Sequence, residues 1–224
     1  MTKAVAAFDL FSIGHSNIAA ERFVALLRAA GVNAIADVRS APHSRFFPWF
    51  SARTLAPLLA DKDIGYLPCG ADLGGRPRDQ RLYCGGIADY EAMARRDEFQ
   101  AALERLIADA ARCRVCMMCA EREPLDCHRC LLVSRGLAAR GMTIGHILHD
   151  GAIEPHTATE QRLLMLGGDD SDLFTTGLGA TGLGATGLGA TGLGATGLGD
   201  RLAAAYRRRG RAVAYRKEKN QKSR

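Results

Sequence analysis

The sequence predicts an α/β fold: a mostly parallel sheet with helices on both faces. Three observations carry this expectation. Four apolar runs have strand length, apolar residues recur at helical spacing between them, and the first strand, helix and strand fit within about 30 residues, as a parallel crossover requires.

The first strand is expected over Phe8 to Gly14 and the second over Ala34 to Val38. Between them Phe23, Leu26, Leu27 and Ala30 lie on one helical face, and Gly31 stands where a left-handed residue closes a helix. A second helix carries Leu55, Leu58 and Leu59. A third opens at Asp97-x-x-Gln100, a capping-box variant, and buries Phe99, Leu103, Leu106 and Ala110. Val115 to Cys119 makes the third strand. A fourth helix runs from His128 to Gly141, Met142 to Leu148 makes the last strand, and a final helix opens at Thr157-x-x-Glu160 with Leu163, Leu164 and Leu166. Alternation of this kind gives a Rossmann-like three-layer arrangement, with strand order left open.

The 224 residues are 47% hydrophobic, enough for one core, so a single α/β domain is expected over residues 1–170. From Thr176 to Gly199 the chain repeats Thr-Gly-Leu-Gly-Ala, which reads as a flexible linker over 171–200. A Gly-rich coil of that length spans about 27 Å root-mean-square. The net charge of +6 is unevenly placed. Residues 201–224 hold ten Arg or Lys against Glu218 alone, and the first 200 residues hold 20 bases against 23 acids. Basic character therefore belongs to a disordered tail over 201–224. No run approaches the roughly 18 apolar residues of a membrane span, and Asp9 interrupts any signal-like N-terminus, so a cytoplasmic protein is expected. Seven cysteines, an odd number clustered between Cys69 and Cys130, argue against a disulfide framework there.

In a parallel sheet the carboxyl ends of the strands share one edge, where ligands bind. His15, Ser16 and Asn17 follow the first strand, Asp37, Arg39 and Ser40 the second, and Cys119 and Glu121 the third. Nearby loops add Ser44, Arg45, Arg76 and Arg129. Several guanidinium groups around one crevice imply an anionic, phosphate-bearing substrate, held also by Asn17, Asp37 and Ser44. Gly74-Gly75 would let backbone approach a phosphate, or simply make a turn.

The run Cys119-Ala-Glu121-Arg-Glu-Pro-Leu-Asp-Cys127-His128-Arg129 concentrates the reactive groups. Cys127 at a helix start would lose its proton readily and serve as nucleophile, with His15 or His128 as general base, Glu121 and Cys119 beside it and Arg129 on the anion. Burial of Cys127, with Asp126 as a helix cap, is an equal alternative. Cys113-x-x-Cys116-x-x-Cys119 has ligand-like spacing, but side chains three apart on a strand point to opposite faces. An open zinc or iron site from Cys119, Cys127 and His128, with or without His15, ranks below the metal-free reading. Cys127-x-x-Cys130 offers a dithiol alternative. His43, His149 and His156 read as solvated or capping residues, His146 as a core or edge residue, and Trp49 as core before pocket lining.

Together Ile13-Gly-His-Ser-Asn17, Asp37-Val-Arg-Ser40-x-Pro42-x-Ser44-Arg45, Leu73-Gly-Gly-Arg76 and Met118-Cys-Ala-Glu121 with Cys127-His-Arg129 resemble the bacterial family called domain of unknown function 488, over roughly residues 8–150. The resemblance implies an α/β domain whose recurring polar positions are His15, Asn17, Asp37, Arg39, Ser44, Arg45, Arg76, Cys119, Glu121, Cys127, His128 and Arg129. It implies no particular activity, and the cofactor is left unknown. Cys113, Cys116, Cys130, the repeat and the tail lie outside its pattern. The expectation is a cytoplasmic hydrolase or transferase acting on a phosphate-bearing nucleotide or nucleic acid. The rival is a small-anion or nucleic-acid binding module whose basic tail grips phosphate backbones without sequence preference.

Overall fold

The computed structural model describes residues 8–166 and 194–217. The expected linker up to residue 193 and the last residues, 218–224, lie outside that range. The chain runs β1 (Leu10–Gly14), α1 (Ala20–Ala29), β2 (Ala34–Asp37), α2 (Ala52–Ala60), β3 (Gly65–Pro68) and the short α3 (Gly70–Leu73). A small hairpin, β4 (Tyr83–Cys84) with β5 (Ile87–Ala88), precedes α4 (Tyr90–Ala94) and α5 (Asp97–Ala110). Then follow β6 (Val115–Cys119), a π-type turn over Arg129–Ser134 continuing into α6 (Arg135–Ala138), β7 (Ile144–Ile147), β8 (Ile153–Pro155), α7 (His156–Met165) and α8 (Gly194–Val213).

The main sheet has the order β3-β2-β6-β1-β7-β8. Its first five strands are parallel and β8 is antiparallel to β7. Gly14 pairs with Cys119 and Asp37 with Met118, so β1, β2 and β6 end on one line. This register delivers the residues that follow each strand to a single edge. The strand pleat sorts β6 into two cores. Val115, Met117 and Cys119 face the layer of α5 and α6 with Phe99, Leu103, Leu106 and Leu137. Cys116 and Met118 face Phe23 and Leu27 of α1 and Leu55 and Leu59 of α2. Three layers result, as expected from the sequence.

All four expected strands are present, and Gly31 closes α1 at φ +69°. Several local expectations need correction. Strands β3 and β8 went unforeseen because they are three or four residues long and half exposed, too short for an alternation to register. Asp97 is the first helical residue of α5 and not its cap. Its place is in the first turn beside Glu98, where acid suits the helix dipole, while the Gln100 amide donates to Ala94 O. Helix α7 starts at His156 after Pro155 without a side-chain cap, so Thr157 does not open it. The helix after His128 begins as wide π-type turns, with the Ser134 hydroxyl donating to Arg129 O at 2.8 Å.

The largest correction concerns residues 194–217, expected to be linker end and free basic tail. They form α8 and an extended end. Leu202, Ala205, Tyr206 and Val213 make an apolar stripe at helical spacing that packs on Leu125, Cys130, Leu131 and Leu163. Arg209 donates to Leu125 O at 3.0 Å and pairs with Asp126. Beyond the helix, Ala88 N donates to Tyr215 O at 3.0 Å and Lys217 N to Gly86 O at 2.9 Å, extending the hairpin edge. Ten bases masked this apolar stripe in the composition. Among the described residues no helix is long and apolar enough to cross a membrane.

Candidate functional site

A cavity of about 410 Å³ lies at the carboxyl edge of β1, β2 and β6. Of the residues expected there, His15, Arg39, Ser44, Arg76, Cys119, Glu121 and His128 line it. Ser40 and Gly75, also expected near this edge, line it too, and Tyr90, Val213 and Tyr215 join them unforeseen. Nothing in the sequence marks Tyr90 as special, whereas Val213 and Tyr215 arrive only because α8 folds back.

Two buried polar groups frame one wall. Asp37 takes Arg39 Nε at 2.8 Å and NH2 at 2.6 Å on its two oxygens and also accepts the Tyr66 hydroxyl at 2.6 Å. Such a fork-to-fork pair holds the guanidinium rigidly. Arg39 NH1 then donates to His15 Nε2 at 3.1 Å, and His15 Nδ1 donates to Ser16 O at 3.0 Å. Both ring nitrogens are committed, and the ring stacks on Phe50 with centroids 4.1 Å apart. Burial and the Arg39 charge push His15 down to about 4, so it is neutral near pH 7. His15 positions Arg39 and has no free nitrogen for a general base, contrary to one sequence expectation.

The same lining holds the sulfur cluster. Cys119 Sγ lies 2.9 Å and Cys127 Sγ 3.1 Å from the same Glu121 oxygen, and His128 Nδ1 lies 3.7 and 3.9 Å from the two sulfurs. His128 Nε2 is 2.9 Å from Val38 O. A carbonyl can only accept, so Nε2 carries hydrogen and Nδ1 faces the thiols. A Cβ on Gly75 would fall 2.7 Å from His128 Cγ, so this position must be glycine for the ring to sit there. The glycine pair thus makes room for protein side chains, Ser40 included, and need not approach a phosphate.

Charge is tightly balanced in this cluster. Burial raises the Cys119 thiol well above its ordinary value, with Cys127 and Glu121 adding to the effect. Burial opposes ionisation of Cys127 as well, but the hydrogen bond from Cys119 and the charges of Arg129 and His128 outweigh it and pull that thiol well down. Burial and the Cys127 charge raise the Glu121 carboxyl. Two anions cannot occupy contacting positions in a low-dielectric site without a proton or cation between them.

Five expected site residues do not face the cavity. Cys127 is 1% exposed behind Cys119, so substrate does not reach it and the nucleophile role fails for this thiol. Arg129, also 1% exposed, donates to Glu121 O at 2.7 Å and Arg122 O at 3.0 Å, leaving its Nε without a partner among the described residues. It braces the loop from inside. Asp37 is buried behind Arg39. Asn17 is exposed outside the cavity, and Arg45 lies exposed over the Phe46 ring. Asp126 pairs with Arg209 and caps no helix. Trp49 packs with Phe47 and Phe50 and donates to Ile18 O, fitting the core reading.

A second cluster of Cys and His lies deeper. His156, expected in a solvated loop, is buried at the start of α7, within reach of Cys130 at 4.0 Å and His146 at 3.0 Å. Cys130 therefore turns away from Cys127, and the two do not face each other as a dithiol. The exposed histidines include His43, which lines the cavity rim, while His149 donates to Gly14 O at 2.6 Å. All seven cysteines are free.

A family model described as Domain of unknown function DUF488 matches residues 19–135. That is more than half of the chain and spans Asp37 to Arg129, with His15 and Asn17 just before it. No curated protein and no solved structure matches the chain.

Proposed function

The chain belongs to the domain of unknown function 488 family, a membership that assigns no activity, and from the geometry of its cavity we propose a cytoplasmic hydrolase or transferase acting on a phosphate-bearing substrate. One observation carries this reading: a single hollow is lined by Cys119, Glu121 and His128 together with Arg39 and Arg76. Reactive groups and cations sharing one hollow match what transfer at an anionic centre needs.

Arg39 is held rigid by Asp37, so it offers a preset positive field at the cavity wall. Arg76 is exposed, stacks on Tyr215 at 4.7 Å and has no carboxylate partner among the described residues, leaving its fork open to a phosphate. Glu121 reaches the cavity beside both sulfurs and is the group placed to carry a proton. Turnover of a panel of phosphate monoesters, diesters and nucleotides tests the reading. Glu121→Gln should lower kcat by about 10²-fold or more at unchanged fold. A panel with no turnover, or a variant as active as the parent, overturns it.

A nucleic-acid substrate or ligand is favoured by one further observation: Arg207, Arg208, Arg211 and Arg216 are exposed on α8 and its extension, whose Val213 and Tyr215 reach the cavity. Replacing these arginines by Gln should flatten the salt dependence of single-stranded DNA or RNA affinity; an unchanged slope removes the basic surface from the account.

A further inference from the structure

Four donor atoms of different type meet beside the cavity. Cys119 Sγ, Cys127 Sγ, His128 Nδ1 and a Glu121 carboxylate oxygen all lie within 4.8 Å of one another. From ordinary bond lengths, a tetrahedral zinc ion has ligand-to-ligand edges of about 3.3 to 3.8 Å. The sulfur-to-nitrogen separations of 3.7 and 3.9 Å are already of that size. The two sulfur-to-oxygen separations, 2.9 and 3.1 Å, are shorter than such an edge, as contacts of hydrogen-bond length are.

Three features distinguish this from chance crowding. His128 donates its far nitrogen to Val38 O, the second-sphere bond that fixes a metal-binding imidazole with the other nitrogen forward. The carriers are stiff: Cys119 ends a central strand, Arg129 braces the Glu121 and Arg122 carbonyls, and Gly75 packs against the His128 ring. The cluster is also open on one side, because Cys119, Glu121 and His128 line the cavity while Cys127 lies behind them. A cysteine nucleophile would need only one accessible thiol. Here the second sulfur is out of substrate's reach, yet aimed at the same point.

We propose that Cys119, Cys127 and His128 bind one divalent transition-metal ion of the zinc class, with Glu121 beside the open fourth position as base for a metal-bound water. Two sulfurs and one nitrogen select zinc, cobalt or iron over magnesium and calcium, which prefer oxygen. The proposal rests on reading the cavity as a phosphate-ester site and deepens it to hydrolysis. Glu121 takes a proton from the bound water, and the resulting hydroxide donates its electron pair to phosphorus. The bond from phosphorus to the ester oxygen breaks, and that oxygen leaves with its electron pair and the proton from Glu121. Water is the only co-reactant. Cys130, His146 and His156 also lie within 4.8 Å of one another, but they line no part of this cavity and their nitrogens are taken up by other partners.

The test uses the full chain stripped with a chelator and then titrated with Zn²⁺ or Co²⁺. One equivalent should bind, and the cobalt form should show a thiolate charge-transfer band with the intense d–d absorption of a four-coordinate ion. Cys119→Ser and His128→Ala should each weaken binding more than 10-fold, Glu121→Gln should keep the ion and the bands, and His156→Ala should leave both unchanged. The unmodified protein alone can overturn the proposal, by binding well under one equivalent or giving a cobalt spectrum without thiolate bands. Bands kept in Cys119→Ser and lost in His156→Ala overturn it equally. If the ion binds as stated and no phosphate ester turns over, the activity fails and the metal site stands. If turnover depends on Glu121 in a chain that takes up no metal, the reverse holds.

Discussion

Among the described residues two buried clusters bring cysteine and histidine together, and they are made differently. Around Glu121 the polar atoms converge: two thiols and an imidazole nitrogen aim at one point, and the point opens to a cavity. Around His156 they line up instead. The Ser12 hydroxyl is 2.6 Å from His146 Nδ1, His146 Nε2 is 3.0 Å from His156 Nδ1, His156 Nε2 is 3.1 Å from the Tyr206 hydroxyl, and Tyr206 donates to Glu160 at 2.8 Å. Each group can donate to the next in one direction with every ring neutral, which satisfies the whole row. Burial pushes both histidines down and the Cys130 thiol up, as expected of groups kept uncharged. Proximity of ligand-type side chains is therefore not enough to make a site. Convergence on a shared, accessible point is what separates a reactive cluster from a buried structural one.

The comparison can be broken most sharply in turnover. Glu121→Gln should cost about 10²- to 10⁴-fold in kcat with little change in Tm, whereas Glu160→Gln, at the end of the satisfied row, should leave kcat alone. Equal effects from the two substitutions would erase the distinction. Next in size, Arg129→Met removes the brace of the first cluster and strands the Glu121 and Arg122 carbonyls. A loss of about 3 to 5 kcal/mol in urea unfolding is expected, and a loss below about 1 kcal/mol would mean the loop stands without it.

Acid should then expose the second cluster. His156 is held down to about 4 by burial, facing His146 from β7, Cys130 from the π-type turn, Glu160 from its own helix and Tyr206 from α8. His15 is held down similarly. Below pH 6.5 the unfolded chain binds protons that the folded chain refuses, so stability falls as pH drops from about 6.5 to 4, by at most about 3 kcal/mol per histidine. The raised carboxyls of Glu121 and Glu160 act in the opposite sense and offset part of the loss. Replacing His156 by Gln should flatten the profile of urea midpoint against pH, and an unaltered slope would contradict the assignment. The smallest effect belongs to Tyr206→Phe, which breaks the row where α8 docks. About 1 to 2 kcal/mol of stability should be lost while kcat is retained. A drop in kcat there would instead link α8 docking to the cavity.

Much of the fold was legible because periodicity is local. The apolar runs at Leu10–Gly14 and Val115–Cys119 are central strands buried on both faces, and such strands show as continuous apolar text. Strand β3 was missed because its side chains are only half buried and leave no such trace. Helix α8 was missed for another reason. Its apolar stripe of Leu202, Ala205, Tyr206 and Val213 was present in the sequence, but arginines and the preceding glycine repeat dominated the composition.

By itself the sequence determined that His15, Asp37, Arg39, Cys119 and Glu121 arrive at one edge, since parallel strands all end on the same side. It also determined that Cys116 and Cys119 part company, since strand side chains alternate. Which polar groups turn inward was decided only by tertiary structure. Asp37 and Arg129 became internal braces, Cys127 lies behind Cys119, Asn17 and Arg45 stayed outside, and Tyr215 entered from a segment that read as tail. The physical reason is that a loop's direction depends on distant carbonyls and packed rings. Val38 O orients His128 across 90 positions, and no local pattern encodes that bond.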